Sequence, residues 1–358
     1  AGFGLDDNLA VSAAGALLSY LKETQKRNLL FISKIIYLQP KTHMVLDEAT
    51  LKNLELMKSL ADGLEKGTLL SVLDKTHTPM GSRLLVRWLK QPLLDMDKIN
   101  HRLDAVEELV NKTIVRRDIQ EMLKKVRDIE RLISRVSYGN CNAVDLVGLK
   151  ESVRVIPILK RELSRCNSKM IESIASMSEL REVFNLIDAS IKDQPAAIIT
   201  EGNMIKSGYH EELDRLSEIK MNGKGYIAEL ERKEKEKTGI KTLKVGFNKV
   251  FGYYIEITKS NLALVPPEYI RKQTLVNNER FITEELKKHE DDVLNAEEKI
   301  FTIERALFEE IVRKVAEHTK MVQDAALKIA ALDVLCSLAT VALDNNYSRP
   351  IVDEALAI

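Results

Sequence analysis

A chain of 358 residues is too long for one compact core and suggests two or three domains. Its 54 Lys and Arg balance 54 Asp and Glu, so no global basic excess advertises a nucleic-acid protein, although a zero sum leaves room for opposite patches on separate elements. Only 15 Gly and 8 Pro accompany 30% charged residues, which predicts long, solvent-washed helices, and no apolar run reaches the 18 residues of a membrane span.

In chain order, Ala1 to Asp6 carries neither an initiating Met nor a signal-peptide layout and reads as an internal start. Residues 8 to 38 predict a helix with Leu17, Leu18, Tyr20 and Leu21 on one side, running into an extended stretch that Pro40 ends. Asp47 to Thr50 opens an amphipathic helix through Leu51, Leu54, Leu56 and Leu60, closed by Gly63 and Gly67. After a turn at Asp74 to Pro79, Met80 to Leu89 is helical with Leu84, Leu85 and Trp88 toward a core. Helices are predicted from Ile99 to Leu109 and over 112–137, 143–165 and 168–190. Cys141, Cys166 and Cys336 lie far apart, which argues against disulfides and a thiolate zinc site and suits a reducing compartment.

A helix starts at His210 and becomes densely charged over Glu229 to Lys237. Beyond Pro267 no Gly or Pro occurs until Pro350, and Leu286, Val293, Ile300 and Leu307 recur every seven residues, with Ala296 and Ile303 three residues after two of them. Between the two long helices, Leu243, Val245 and Phe247 alternate with polar residues, Asn248-Lys249 offers a turn, and Phe251 to Thr258 is aromatic and β-branched. Lys272 to Val276 suggests a further strand. The predicted fold is therefore mainly α: a helical core with two long antiparallel helices that carry a small β-rich module at their tip.

Charge is unevenly placed along this part of the chain. From Lys224 to Thr283 there are twelve Lys and Arg against seven Glu, and residues 284–298 then hold seven acids against two Lys. A basic module with Asn, Gln and Thr beside it suits phosphate-backbone contacts, although a solvated charged face accounts for the same counts. Its aromatics suit a small core better than a base-stacking platform.

Enzymatic motifs are absent from the sequence. Gly223-Lys224-Gly225 lacks the loop and hydroxyl of a phosphate cradle, and His210-Glu211-Glu212 is followed by Asp214 where a zinc pair needs His. The six His are scattered, and Glu290-Asp291-Asp292 suits a solvated helix face. Thr78 to Leu89 has the layout of a capped helix entering a core. The chain is not expected to be an enzyme.

Three blocks carry a resemblance. Asp74-Lys75-Thr76-His77-Thr78-Pro79-Met80-Gly81-Ser82-Arg83 through Trp88-Leu89 and Gln91-Pro92-Leu93 resembles the core-domain signature of the bacterial MutS DNA mismatch-repair proteins. So do Lys244 to Asn248 with Gly252 to Ile255, and Arg271 to Leu275 through Asn277, Glu279 and Arg280 to Leu286; the Leu332-Asp333-Val334-Leu335 stretch also fits.

The resemblance runs essentially end to end and implies a lever-and-clamp architecture. Residues 1–38 would close a connector domain, 39–209 and 316–358 would form the core, and 210–239 and 281–315 the two levers. Residues 240–280 would be a clamp that holds duplex DNA by its backbone without reading sequence. The clamp positions it implies are Lys244, Asn248, Lys249, Arg271, Lys272, Gln273, Asn277 and Arg280; Val276 stands where the family often has Lys, which would remove one phosphate contact.

The family's mismatch-reading and P-loop ATPase domains are not in this sequence. ATP and Mg, a homodimer and downstream mismatch-repair proteins are thus implied for a longer parent, with a cytoplasmic, nucleoid-associated location, no cofactor for this part and no membrane partner. The alternative is a structural coiled-coil module of a MutS-like protein outside mismatch repair, its basic tip meeting an acidic protein. A hinge is expected near Gly202 to Gly208.

Overall fold

A computed structural model describes residues 8–25, 43–196, 202–248 and 252–353. The chain divides into two compact units, residues 1–194 with 310–358 and residues 195–309. It is mainly helical, with one small antiparallel sheet in the second unit.

The first unit begins with α1 (Asn8–Gln25) and the short α2 (Glu48–Asn53) and α3 (Leu69–Leu73). Then come α4 (Pro79–Lys90), α5 (Met96–Asn111), α6 (Thr113–Leu123), α7 (Ile129–Tyr138), α8 (Ala143–Val153), α9 (Ile156–Leu163), α10 (Lys169–Ala175) and α11 (Arg181–Ser190). The part of the first predicted helix beyond Gln25 lies outside the described residues.

Local chemistry sets these boundaries. Asp128 accepts from the Arg131 amide at 3.2 Å, so a new helix starts where the sequence suggests one continuous helix over 112–137. Asn142 and Asp145 form a capping box. Pro157 in the first turn of α9 and the left-handed Leu180 before α11 divide the two later predicted helices in the same way. The helix expected through Leu60 stops after six residues because Glu55 adopts φ 48°, and Leu54 and Leu60 end up exposed.

The core of this unit is organised on α14 (Thr319–Asp344), which packs on α4, α5 and α7. Val322, Ala325, Ile329, Leu332, Leu335 and Ala339 are fully or almost fully buried. A stretch of α14 has a mean hydropathy of 1.9, enough by length and composition to cross a membrane, yet 61% of it is buried within the protein, as a core helix would be.

One acid sits among these apolar residues. The Asp333 carboxylate accepts from the His77 amide at 2.9 Å, the Thr78 amide at 2.7 Å and the Thr78 hydroxyl at 2.6 Å. Burial raises its pKa, while the Thr78 and His77 donors pull it back. Gly81 lies against it so closely that a Cβ would come within 2.3 Å of Oδ2. Thr78 Oγ1 in turn caps α4 by accepting from the Gly81 amide. The Thr78 to Leu89 layout is thus a capped helix entering a core, held at its first turn by a residue 255 positions away.

The second unit contains α12 (Glu211–Thr238), four strands and most of α13 (Glu284–Glu317). At about 1.5 Å per residue the helices are about 42 and 51 Å long. Acids in the first turn of α12 and Lys235 and Lys237 in its last turn complement the helix dipole, and Gly239 at φ 71° terminates it.

Strands β1 (Lys244–Asn248), β2 (Gly252–Thr258), β3 (Ile270–Thr274) and β4 (Asn278–Ile282) form an antiparallel sheet in the order β1-β2-β4-β3. The sequence pattern identified β1, β2 and a strand near 272, but not β4, whose residues fall where the clamp was expected to end and the returning helix to begin. Leu230, Ile240, Leu243, Ile255, Ile257, Tyr269, Phe281, Ile282 and Leu286 make the core of this unit.

Only part of the seven-residue repeat is buried. Leu286 and Ala296 are, while Ile300, Ile303 and Leu307 are half-buried. In the segment expected to hinge, the Glu304 carboxylate of α13, 3% exposed, accepts from the amides of Asn203 at 2.7 Å, Met204 at 3.0 Å and Ile205 at 3.2 Å.

Candidate nucleic-acid interface

Strand alternation gives the sheet two unlike faces. Val245, Ile255 and Phe281 are in register across β1, β2 and β4 and belong to or pack against the core. On the other face Lys244, Glu256, Arg280 and Gln273 form a row across all four strands.

Arg280 is fully engaged within this row. Its Nε lies 3.0 Å from Glu256 Oε2, its Nη1 donates to Gln273 Oε1 at 3.0 Å, and its guanidinium lies 4.0 Å from the centre of the Tyr254 ring. The ring covers Gly246, where a Cβ would come within 2.9 Å of it. Asn278 completes the arrangement by donating to Glu256 Oε1 at 2.9 Å.

Of the eight positions implied by the resemblance, Lys244, Gln273 and Arg280 are thus brought together. Arg271 belongs to the opposite face, where its Nε is 2.8 Å from Glu279, an acid that is 5% exposed. Lys272 is exposed at the bulge between Arg271 and Gln273. Asn277 is exposed in the β3–β4 turn beside Val276, and its carbonyl accepts from the Lys259 amide at 3.0 Å. Asn248 ends β1 opposite Gly252. Lys249 lies outside the described residues.

Every glutamate between residues 229 and 279 has an internal partner. Glu229 and Glu236 hold Arg232, Glu231 holds Lys235 and the Val245 amide, Glu268 holds Lys237, and Glu234 accepts from the Tyr269 hydroxyl. Glu256 and Glu279 are committed to Arg280 and Arg271. The Lys235 hydrogen bond and the Val245 amide lower the Glu231 pKa, whereas burial and Glu234 raise that of Tyr269.

Lys233, Lys241, Lys244 and Lys259 are exposed, and among the described residues no carboxylate lies within salt-bridge distance of them. The basic excess counted in the sequence is therefore presented by lysines without a described carboxylate partner, while Arg232 and Arg271, though exposed, and Arg280, largely covered, are each paired with a glutamate. Lys241, Lys259 and the neighbouring hydroxyls escaped the resemblance-based set, although their place at strand ends was a usable signal. Thr242 and Thr258 come within 3.5 Å of each other, and Asn261 Nδ2 donates to both, at 3.0 and 3.1 Å. Thr242 follows Lys241 and Thr258 precedes Lys259 in the chain, so this cluster adds hydroxyl and amide donors of the kind suited to phosphate oxygens next to two lysines in sequence.

Among the described residues, no group of three or more His, Cys, Asp or Glu is gathered to hold a metal. Fold and surface together define a helical protein with a small basic β module that exposes lysines, hydroxyls and amides beside a glutamate-paired arginine.

Comparison with known proteins gives this class a family. Residues 49–339 match the family model described as MutS domain III. The chain is 47% identical over 352 residues to a DNA mismatch repair protein MutS from Pelotomaculum thermopropionicum, covering 98% of this chain and 41% of that protein. It is 49% identical over 351 residues to one from Halothermothrix orenii and 46% identical over 355 residues to one from Methanosarcina barkeri. Each of these alignments covers 98% of this chain and 39% of the relative. The chain belongs to the MutS family and carries its domain III, spanning about 40% of the length of these curated relatives.

Proposed function

We propose that this chain is the lever-and-clamp part of a DNA mismatch repair protein and holds duplex DNA through its phosphate backbone, without reading sequence. The observation that carries this reading is the charge pairing in the β module. All seven glutamates have partners, while among the described residues Lys233, Lys241, Lys244 and Lys259 have no carboxylate within salt-bridge distance, and hydroxyls neighbour Lys241 and Lys259 in the chain. In this reading Arg271 and Arg280 keep the sheet in shape and the lysines meet DNA. The chain contributes no catalytic step of its own; ATP and Mg chemistry, dimerisation and recruitment of other repair proteins belong to the longer protein, in the cytoplasm at the nucleoid.

Fluorescence anisotropy with matched and mismatched duplexes at rising salt tests it. Both duplexes are expected to bind equally, with log K falling by about 0.9 per phosphate contacted for each unit of log salt. The triple variant K241E/K244E/K259E is expected to lose at least about tenfold at low salt. Failure of the unaltered chain to bind any duplex at low salt rejects the reading.

A further inference from the structure

The first unit contains a second concentration of positive charge, in the loop that enters α4. Lys75 and His77 from this loop, and Arg117 and Lys124 from α6 and the residue after it, line one hollow of about 620 Å³. Glu121 is the one acid lining it among the described residues, and it is bridged to Lys124 at 2.6 Å. Lys75 and Arg117 are exposed and have no described carboxylate within salt-bridge distance.

The loop carrying Lys75 and His77 is held by hydrogen bonds. The Lys75 amide donates to Ser337 Oγ at 2.7 Å, and the Thr76 amide and hydroxyl donate to Asp74 Oδ1 at 3.0 and 2.6 Å. His77 and Thr78 are held by Asp333, and Ser82 ties Asp74 down from α4 at 2.7 Å. A buried acid, unfavourable by itself in an apolar core, thus fixes the backbone at His77 and Thr78, and Ser337 fixes it at Lys75. On the opposite wall Gln120 is tied to Thr340 at 3.1 Å. The hollow thus joins a hydrogen-bonded loop backbone to exposed Lys and Arg side chains, in a different unit from the β module.

We propose that this hollow binds phosphate groups. Its side chains combine ammonium, guanidinium and imidazole donors. Two unpaired permanent cations match the charge of a phosphate dianion better than that of a single carboxylate. Among the described residues no Leu, Ile, Val, Met, Phe, Tyr or Trp lines it, and its apolar surface comes from the stems of polar and charged side chains, which favours a phosphate over an acyl chain. Free phosphate and the backbone of a nucleic acid share this chemistry.

Calorimetric titration of inorganic pyrophosphate into the chain tests the proposal, with K75Q/R117Q, each single variant and K66Q compared. Pyrophosphate is expected to bind one to one, the double variant to lose at least about tenfold and each single variant less, with K66Q unchanged. Matched unfolding midpoints exclude a folding defect, and the single variants keep the test open if the double variant does not fold.

A short duplex titrated in parallel separates the sources. A parallel loss of duplex affinity in the double variant assigns the hollow to backbone phosphate, and unchanged duplex affinity assigns it to free phosphate. Absence of pyrophosphate binding, an equal loss in K66Q, or equally tight binding of poly-glutamate overturns the proposal.

Discussion

Both units bury carboxylates, but under different conditions. In the first, Asp333 is fully enclosed by the apolar face of α14 and joins a large core to the α4 entry loop. In the second, the core is small; Glu279 and Glu234, also buried, hold a strand and a tyrosine beside it, and the buried Glu304 holds the 203–205 loop. The difference teaches that a buried acid adds an anchor where packing is already sufficient, and takes a larger share of the structural task where apolar area is scarce. Within the β module and the helix that enters it, the seven glutamates from 229 to 279 are each paired, which leaves lysines as the charges without a described carboxylate partner.

The largest effect is expected from Asp333→Ala, which orphans two amides and a buried hydroxyl at once. The first unit should lose about 3–5 kcal/mol, measured by urea unfolding. A loss under about 1 kcal/mol would show that water or relaxation replaces the carboxylate.

Glu304→Ala removes the acceptor of three amides in the second unit. It should destabilise that unit by about 2–3 kcal/mol and speed amide exchange at 203–205. Unchanged exchange there would mean that the loop is held by something other than this carboxylate.

Gly252→Ala comes next. Its φ of 73° disfavours a side chain, and a Cβ would fall on the Glu290 carboxylate, which is also near the Tyr253 amide. A loss of about 1–2 kcal/mol is expected in thermal unfolding, and partial recovery with Glu290→Ala would assign the steric share.

The smallest effect concerns acid. Burial acts to raise the Glu108 pKa, but Lys112 and the amides of Asn167 and Ser168 outweigh it and hold the carboxyl at about 2. A carboxyl depressed in the folded state stabilises above its unfolded pKa, and that contribution disappears as pH falls from about 4.5 toward 2. The share present at neutral pH is about 1–2 kcal/mol for a partly exposed, charge-assisted cluster. Glu108→Gln should flatten the acid limb of the first unit's stability curve; an unchanged limb would show that other carboxylates govern it.

Much of this arrangement was legible in the chain itself. Scarce Gly and Pro and the helical periodicities marked a mainly α protein, and alternation at 243–258 marked the β module, because local spacing alone decides which face is apolar. The MutS-like blocks were also plain in the sequence. Less accessible was the division of the long helical stretches, which depends on single caps such as Asp128 and on the backbone conformations of Glu55 and Leu180. Strand β4 escaped for a related reason: Asn278-Glu279-Arg280 is polar, and only its partners β2 and β3 make it a strand.

The feature with which the chain began, a net charge of zero, shows the same boundary. Sequence by itself determined that a segment rich in Lys and Arg lies between two long helices. Tertiary structure decided which of those charges are available, because an ion pair depends on distance in space and register across strands. Arg280 and Lys244 share one row of the sheet, yet Arg280 lies between Glu256, Gln273 and Tyr254 while Lys244 is left to solvent.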